Sequence, residues 1–423
     1  MAQGIGIAMT DKRGGSKRMA DTKVDVAILG GGPAGLTMAL ALSRYGRGLR
    51  VAIVERRDMT IPKDSRATAI AAGVRRVFDA LDIWQPMAER AQPITAMRIT
   101  DSAGEDIARP LFLSFSGDVA PGEAFAHMVP NAAMAEALLA AVDPSITLLA
   151  PAQVHSFDGK GGRARLGLAD GSSLEASLVI AADGAQSSLR DMAGIGVFRH
   201  DYGQSGIVTT IAHALDHEGV AYEHFRPSGP FASLPLPGKR SSLVWTERSE
   251  NVGEILGASA EQQAERIEAV MGSTLGAVRV EETVMSFPLR LQLAHSFIGP
   301  RLALIGDAAH VVHPIAGQGL NLGLKDVAAL AEVIIDAARL GLDIGTEQVL
   351  ERYQRWRRFD TATMAMVTDG MNRLFSNDVG AIRALRDLGL GLVDRTEPIK
   401  DAMIRAAASV SPNGPKLLNG AGL

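Results

Sequence analysis

The stretch from Val24 to Glu55 constrains this chain more than any other. Val24–Leu29 is an apolar, β-rich run that stops at Gly30-Gly31-Gly32-Pro33-Ala34-Gly35, and an apolar helix, Leu36–Leu42, follows at once. Val51–Val54 reads as a second strand, closed by Glu55. Strand, glycine turn, helix, strand and acid, in that order, form the unit that takes the adenosine diphosphate half of a dinucleotide. Gly30 makes the tight turn, Gly32 lets a pyrophosphate close on the backbone, and Gly35 lets the helix pack on the strand, with Ala34 beside it at the helix start. Glu55 accepts from ribose hydroxyls about 20 residues on. A glycine triplet by itself would mark no more than a tight strand–helix turn; the full context favours the dinucleotide. An acid at 55 argues against a 2′-phosphate, so NADP is not the ligand of this unit, while FAD and NAD both remain open.

A second stretch, 302–327, complements the first. Leu302–Ile305 reads as a buried parallel strand that stops at Gly306-Asp307. A loop with His310, His313 and Pro314 follows, and Gly317-Gln318-Gly319 opens a helix that continues through Leu320 and Asn321. A helix that starts in glycines presents free N–H groups and a positive dipole end to a ligand, and the glycines let a large planar group approach. Between these stretches Leu178–Ala182 ends in Asp183-Gly184, with Arg190 shortly after. Alone, that is an ordinary acid–glycine turn.

The 423 residues exceed one hydrophobic core, so two or three domains are expected. A net charge of −4 gives no electrostatic reason to bind nucleic acid. The absence of cysteine removes disulfides, thiolate metal sites and dithiol redox chemistry together, and no metal site is expected. No apolar run reaches the ~18 residues of a membrane span, and no signal-peptide pattern opens the chain, so a cytoplasmic location is expected. Residues 1–20 read as a disordered tail, and Met19 is a candidate start of translation.

In order, Arg66 lies before a helix through Val74, Val77, Phe78 and Leu81, where a cation is unfavourable to the dipole unless an anion or a flavin edge is near. Ile94–Thr100 reads as a strand with a hairpin partner at Ile107–Phe115, and 131–142 as a helix. Thr147–Val154, Ala164–Leu168 and Leu174–Ala176 read as short strands. Segments at 206–213, 219–226, 231–235 and 241–246 alternate between Pro/Gly turns and predict an antiparallel, substrate-facing sheet, followed by a helix at Glu261–Met271. From 326 the chain reads as helical over 326–340, 346–375 and 380–407. The basic run Arg352, Arg355, Arg357 and Arg358 reads as a solvated helix face.

Three elements line up: Gly30–Gly35 with Glu55, Asp183-Gly184 with Arg190, and Gly306-Asp307 with the HPIAGQG loop. Together they resemble the single-component, flavin-dependent aromatic hydroxylases. The run GDAAHVVHPIAGQGLNLGLKD at 306–326 resembles the signature of their ubiquinone-biosynthesis branch, the polyprenylphenol hydroxylases, and LFS at 374–376 and LRDLGLGLVD at 385–394 extend the likeness. The resemblance implies an α/β fold: a Rossmann-like FAD-binding domain (21–93, 120–199 and 295–345), an inserted antiparallel-sheet substrate domain (94–119 and 200–294) and a C-terminal helical region (346–423). It implies that Glu55 binds the adenosine ribose, that Arg66 lies near the flavin and that Asp307 meets the ribityl chain. It implies that Gly319, Leu320 and Asn321 meet the isoalloxazine, and that Asp183-Gly184 serves FAD and a transient NADH or NADPH. Pro314 offers its carbonyl near the substrate hydroxyl, with His313 as a second catalytic candidate beside a plain structural reading.

The reaction implied is reduction of FAD by the nicotinamide, addition of O₂ at flavin C4a, and oxygen transfer to an electron-rich phenol ring. One dinucleotide fingerprint and no cysteine agree with that, since oxygen is then the simplest electron acceptor. A polyprenyl phenol calls for a greasy channel. Contact with the inner face of the membrane, or with other ubiquinone-biosynthesis proteins, through C-terminal helices is a further expectation, with Phe375, Leu385, Leu388 and Leu390 as candidates. Competing readings are a hydroxylase of a soluble aromatic compound and a non-catalytic flavin-holding subunit.

Overall fold

The structure is a computed structural model that describes residues 22–63, 66–101, 111–116, 118–314, 317–375, 404–405, 407–411 and 413–423. The expected tail and Met19, the segment 380–403, and the candidates Leu385, Leu388 and Leu390 lie outside these residues, as does the Phe375 side chain.

Two large sheets divide the work. The first runs in the order Thr147–Leu149, Val51–Val54, Thr22–Leu29, Ser173–Ala181, Ala164–Leu168, Val154–Asp158, with Leu302–Leu304 added along the end of Ser173–Ala181. Its central pairings are parallel: Ile28 lies opposite both Ile53 and Ile180, and Ile180 opposite Ala303. Strands buried on both faces read as continuous apolar runs, which is why Val24–Leu29 and Leu302–Leu304 were legible. Helices Pro33–Tyr45, Asn131–Ala140 and Gln318–Arg339 bury their apolar residues in the same core. The short strands read at 174–176 and 178–182 are one continuous strand.

The second sheet has nine strands among the described residues and takes one of them, His310–Val311, from the stretch after 295. Val197–His213 is its longest strand and pairs antiparallel with Arg240–Arg248 and Met285–Ala294. Phe231–Leu236 and Val220–Phe225 continue it antiparallel. The seam with Ala96–Asp101 is parallel, a departure from the purely antiparallel sheet expected. Leu111–Ser116 then pairs back on Ala96–Asp101 as the expected hairpin partner. One face of this sheet, through Ile207, Ile211, Phe231, Leu243 and Trp245, packs on the helices Val252–Gly257 and Ala260–Met271. The opposite face is free to line a cleft.

Two local readings change. Arg66 precedes a strand, Ala67–Ala71, and the helix starts only at Ala72. That strand joins Gln92–Ile94 and Ala126–Pro130 in a small sheet, so cross-strand pairing explains the segment and no helix dipole is involved. The basic run is also not a uniform solvated face. On the helix Glu347–Phe375, Arg355 and Arg358 are exposed, but Arg357 is buried and bonded to Asp326 and Asp360. A charge run reports composition, whereas burial depends on which turn of the helix meets the core.

Candidate active site

The glycine turn follows from sterics. Gly30 adopts φ +109, and a Cβ there would sit 2.2 Å from the Ala182 carbonyl oxygen. A Cβ on Gly35 would come within 2.0 Å of the Gly30 oxygen, so the helix can pack this closely only on glycine. Gly32 is different: a Cβ would meet nothing within 4 Å, so the space in front of it is open. It caps Pro33–Tyr45 with no side-chain hydrogen bond, which leaves first-turn N–H groups facing that space. Glu55 closes the floor, accepting from Gly31 N–H at 2.7 Å and from Arg57 N–H at 3.0 Å.

The second turn is built alike. Gly306 has φ +59, and its N–H donates to Asp326 at 3.0 Å. Asp307 then projects into the cleft, reachable by solvent yet surrounded by protein. Burial raises its carboxyl above the usual range, offset in part by His310 and Arg290. The helix Gln318–Arg339 starts on Gly317, in the left-handed region at φ 64, with no side-chain cap. A Cβ on Gly319 would again meet open space. A Cβ on Gly323 would touch Gly306 Cα at 3.0 Å, so glycine there lets the helix close on the turn.

These turns border two connected hollows. The outer one, about 540 Å³, is lined by Gly31, Gly32, Glu55, Arg66, Met134 and Leu138 among others. The inner one, about 610 Å³, holds Arg66, Asp307, Pro314, Gly317, Gly319, Leu320 and Asn321 on one side. Its other wall is mostly apolar, from Ile94, Met97, Phe125, Val208, Leu234, Val244 and Phe287. Pro33, Arg66, Thr68, Asn131 and Leu320 line both hollows, so they form one cleft.

Asp183, Gly184, Ala34 and His313 sit beside this cleft without lining it, and Pro314 and Asn321, which do line it, are also tied into the fold. Asp183 caps the next helix turn, accepting from Leu189 N–H at 3.2 Å and from the Ser188 hydroxyl at 3.3 Å, while its Oδ1 is buried with no partner among the described residues. Gly184 follows at φ +86. Ala34 supports the junction, 3.7 Å from where a Gly306 Cβ would stand. The Asn321 amide ties the helix start to the small sheet, donating to Ala69 O at 2.7 Å and accepting from Ala71 N–H at 2.9 Å. The Pro314 carbonyl already accepts from Gly317 N–H at 2.9 Å. His313 is fully buried, packs edge-on against Tyr202, and has neither ring nitrogen partnered among the described residues. Burial lowers it to about 4, against a small upward pull from Asp369, so the ring is neutral at pH 7.

Sequence reasoning picked out Arg190 as part of the second motif but missed that it, Asp326 and Arg357 act as braces. Arg190, fully buried, donates to Ala185 O and to Ala308 O, joining the second acid–glycine turn to the third. Asp326 accepts from Gly306 N–H, His310 Nε2 at 2.6 Å and Arg357 Nε at 2.7 Å. Burial alone would raise the Asp326 carboxyl, but His310 and Arg357 outweigh it and hold it low. Tyr353 adds a 2.6 Å bond to Leu304 O. The signal for Arg357 was an acid at 326 with no other assigned task.

The chain is similar to known proteins over nearly its full length. It matches the FAD-binding domain family over residues 23–367 and belongs to that family. Ubiquinone hydroxylase UbiL of Rhodospirillum rubrum is 41% identical over 410 residues, covering 95% of this chain and 94% of that one. The 3-demethoxyubiquinol 3-hydroxylase of Escherichia coli is 32% identical, covering 92% and 99%. Among solved structures, p-nitrophenol 4-monooxygenase PnpA of Pseudomonas putida superposes with a TM-score of 0.74 at 20% identity, over 92% and 99% of the two chains, which supports the fold. FAD fits the residues present: two uncapped glycine helix starts face one cleft, with an acid at the ribose end and Asp307 between.

Proposed function

We propose that this protein hydroxylates the aromatic ring of a polyprenylated phenol in ubiquinone biosynthesis, using O₂ and electrons from NADH or NADPH. The enzyme class is FAD-dependent monooxygenase. The observation that supports the substrate reading is the inner cavity: its wall is mostly apolar, and it opens on the Gly317–Leu320 helix start, where the flavin ring would lie. The relatives named above as ubiquinone hydroxylases support the same substrate class. When bound, FAD carries electrons from the nicotinamide to O₂ and delivers one oxygen atom to the ring.

The chain's own residues bind, orient and exclude water. Gly32 would admit the pyrophosphate at the first helix start, with Gly30 making the turn and Gly35 packing the helix, and Glu55 would take the ribose hydroxyls. Asp307 meets the ribityl chain, and Gly306 aims it. N–H groups at Gly319 and Leu320 stabilise negative charge on the flavin's pyrimidine edge. Arg66, which lines both hollows, lies near the ring, and Asp183-Gly184 supports FAD and the arriving nicotinamide. Pro314 O has a second lone pair for a substrate hydroxyl. His313 acts as packing behind that loop and takes no proton from the ring.

No described helix is long and apolar enough to cross a membrane. Phe359, Met366, Val367 and Leu374 lie exposed on one side of Glu347–Phe375 and support a peripheral contact with a membrane or a pathway partner. Deleting the gene tests the substrate. Accumulation of a prenylated quinone precursor lacking one ring oxygen is expected; an unchanged quinone pool points to a soluble aromatic substrate instead.

A further inference from the structure

One wall of the inner cavity is a single cross-strand row. Val208 lies opposite Val244, Val244 opposite Ala232, and Ala232 opposite Glu223. Residues in such a row share one face of the sheet, and all four line the cavity. Three are apolar. The fourth is a carboxyl with only 4% of its surface exposed.

The other buried acids among the described residues all have partners. Asp326 has His310 and Arg357, Glu247 has Arg226, Asn251 and the Arg248 N–H, and Glu332 has the Lys416 N–H and ammonium. The Glu223 carboxyl has no hydrogen bond or ion pair among the described residues, and the side chains of its registered neighbours, Ala232 and Ile99, offer none. An unpaired buried carboxyl costs stability that a valine at the same place would not. Such a group is understandable where a ligand supplies the missing partner.

We propose that Glu223 is the polar anchor for the substrate's ring hydroxyl. This rests on the phenol reading above. The hydroxyl donates to the carboxylate, which orients the ring within an otherwise apolar cavity. In the proton step, the ring O–H bond breaks, the proton passes to a Glu223 oxygen, and the electron pair stays on the ring oxygen. The resulting phenolate is richer in electrons at its ortho and para carbons, where an electrophilic oxygen is accepted. Once the oxygen is on the ring, the C–H bond at that carbon breaks, its electron pair restores the aromatic ring and its proton leaves to water, while Glu223 returns the first proton to the ring oxygen before release. Burial pushes the Glu223 carboxyl up to about 7, so it can take and return a proton at neutral pH. The other charged side chains on the cavity wall among the described residues are Arg66 and Asp307.

The test uses FAD-loaded full-length protein and compares binding of 2-nonylphenol with binding of its methyl ether, which cannot donate. At about pH 8 the wild type is expected to bind the phenol roughly tenfold or more tighter, as for a hydrogen bond to a charged group. In Glu223→Leu that ratio falls to near one, while FAD content and ether affinity are kept. Glu223→Gln keeps part of the preference but loses its pH dependence. A Glu223→Leu protein that still prefers the phenol, or a wild type with no preference, overturns the proposal. A preference that vanishes with Glu223 in a protein unable to hydroxylate the phenol upholds the anchor and overturns the reaction instead.

Discussion

The parallel sheet and the nine-stranded sheet meet at one cleft but shape it by different means. The first works through backbone: Gly30, Gly35, Gly306 and Gly317 hold positive φ or close approaches, and free N–H groups face the ligand. The second works through side chains, with Val208, Val244, Ala232 and Glu223 projecting from a regular ladder. Backbone recognition suits a constant cofactor, since few residues but glycine permit it. Side-chain recognition can vary one position at a time, as suits a substrate.

That contrast can be broken by experiment. The largest expected effect on stability is at the brace behind the cofactor turns. Asp326→Ala leaves the buried Arg357 with Asp360 as its one carboxylate and takes the acceptor from Gly306 N–H and His310, so it should cost about 3–5 kcal/mol, measured by urea unfolding. A loss below about 1 kcal/mol would mean the turns hold themselves. Asp307→Ala should give a folded but colourless protein, with FAD affinity down roughly 100-fold, about 3 kcal/mol. A yellow, fully active variant would misplace the ribityl contact.

His313 gives a comparable effect that depends on pH. Its folded value lies near 4, below the unfolded value of about 6.5, so its contribution is complete above pH 6.5. As pH falls from there to about 4, the unfolded state binds the extra proton, and roughly 3 kcal/mol is lost. His313→Phe should flatten that part of the stability profile, and equal acid sensitivity in both proteins would show that another group controls it. Gly35→Ala should cost about 1–3 kcal/mol and weaken FAD, because its Cβ meets the Gly30 carbonyl. By contrast, Ala232→Val on the other sheet should leave FAD content unchanged and alter only substrate affinity; flavin absorbance per protein checks both.

Much of the first region was legible in the sequence for the same reason. A position that only glycine can fill leaves a mark that one sequence carries, so Gly30 to Glu55 and Gly306 to Gly319 announced their turns. Asn321 was legible as a member of the motif, but its side chain proved to be a tie to Ala69 and Ala71, a contact some 250 residues away along the chain. Arg357 read as surface because periodicity says little about which neighbour buries a charge. Glu223 was passed over because VAYEHF alternates as a strand should, and nothing local tells which face meets a cavity. The parallel seam beside it, Ala96–Asp101 on Val220–Phe225, was hidden likewise, since strand order is decided by distant packing.

The central claim is that the cleft holds FAD at the Gly317 helix start with a phenol ring against the side-chain wall. The most direct measurement supplies the FAD-loaded protein with NADH, a polyprenylphenol and ¹⁸O₂, and weighs the product. The account predicts one labelled oxygen on the ring for each NADH consumed. Product without label, or NADH oxidised with the ring untouched whichever phenol is supplied, would contradict it.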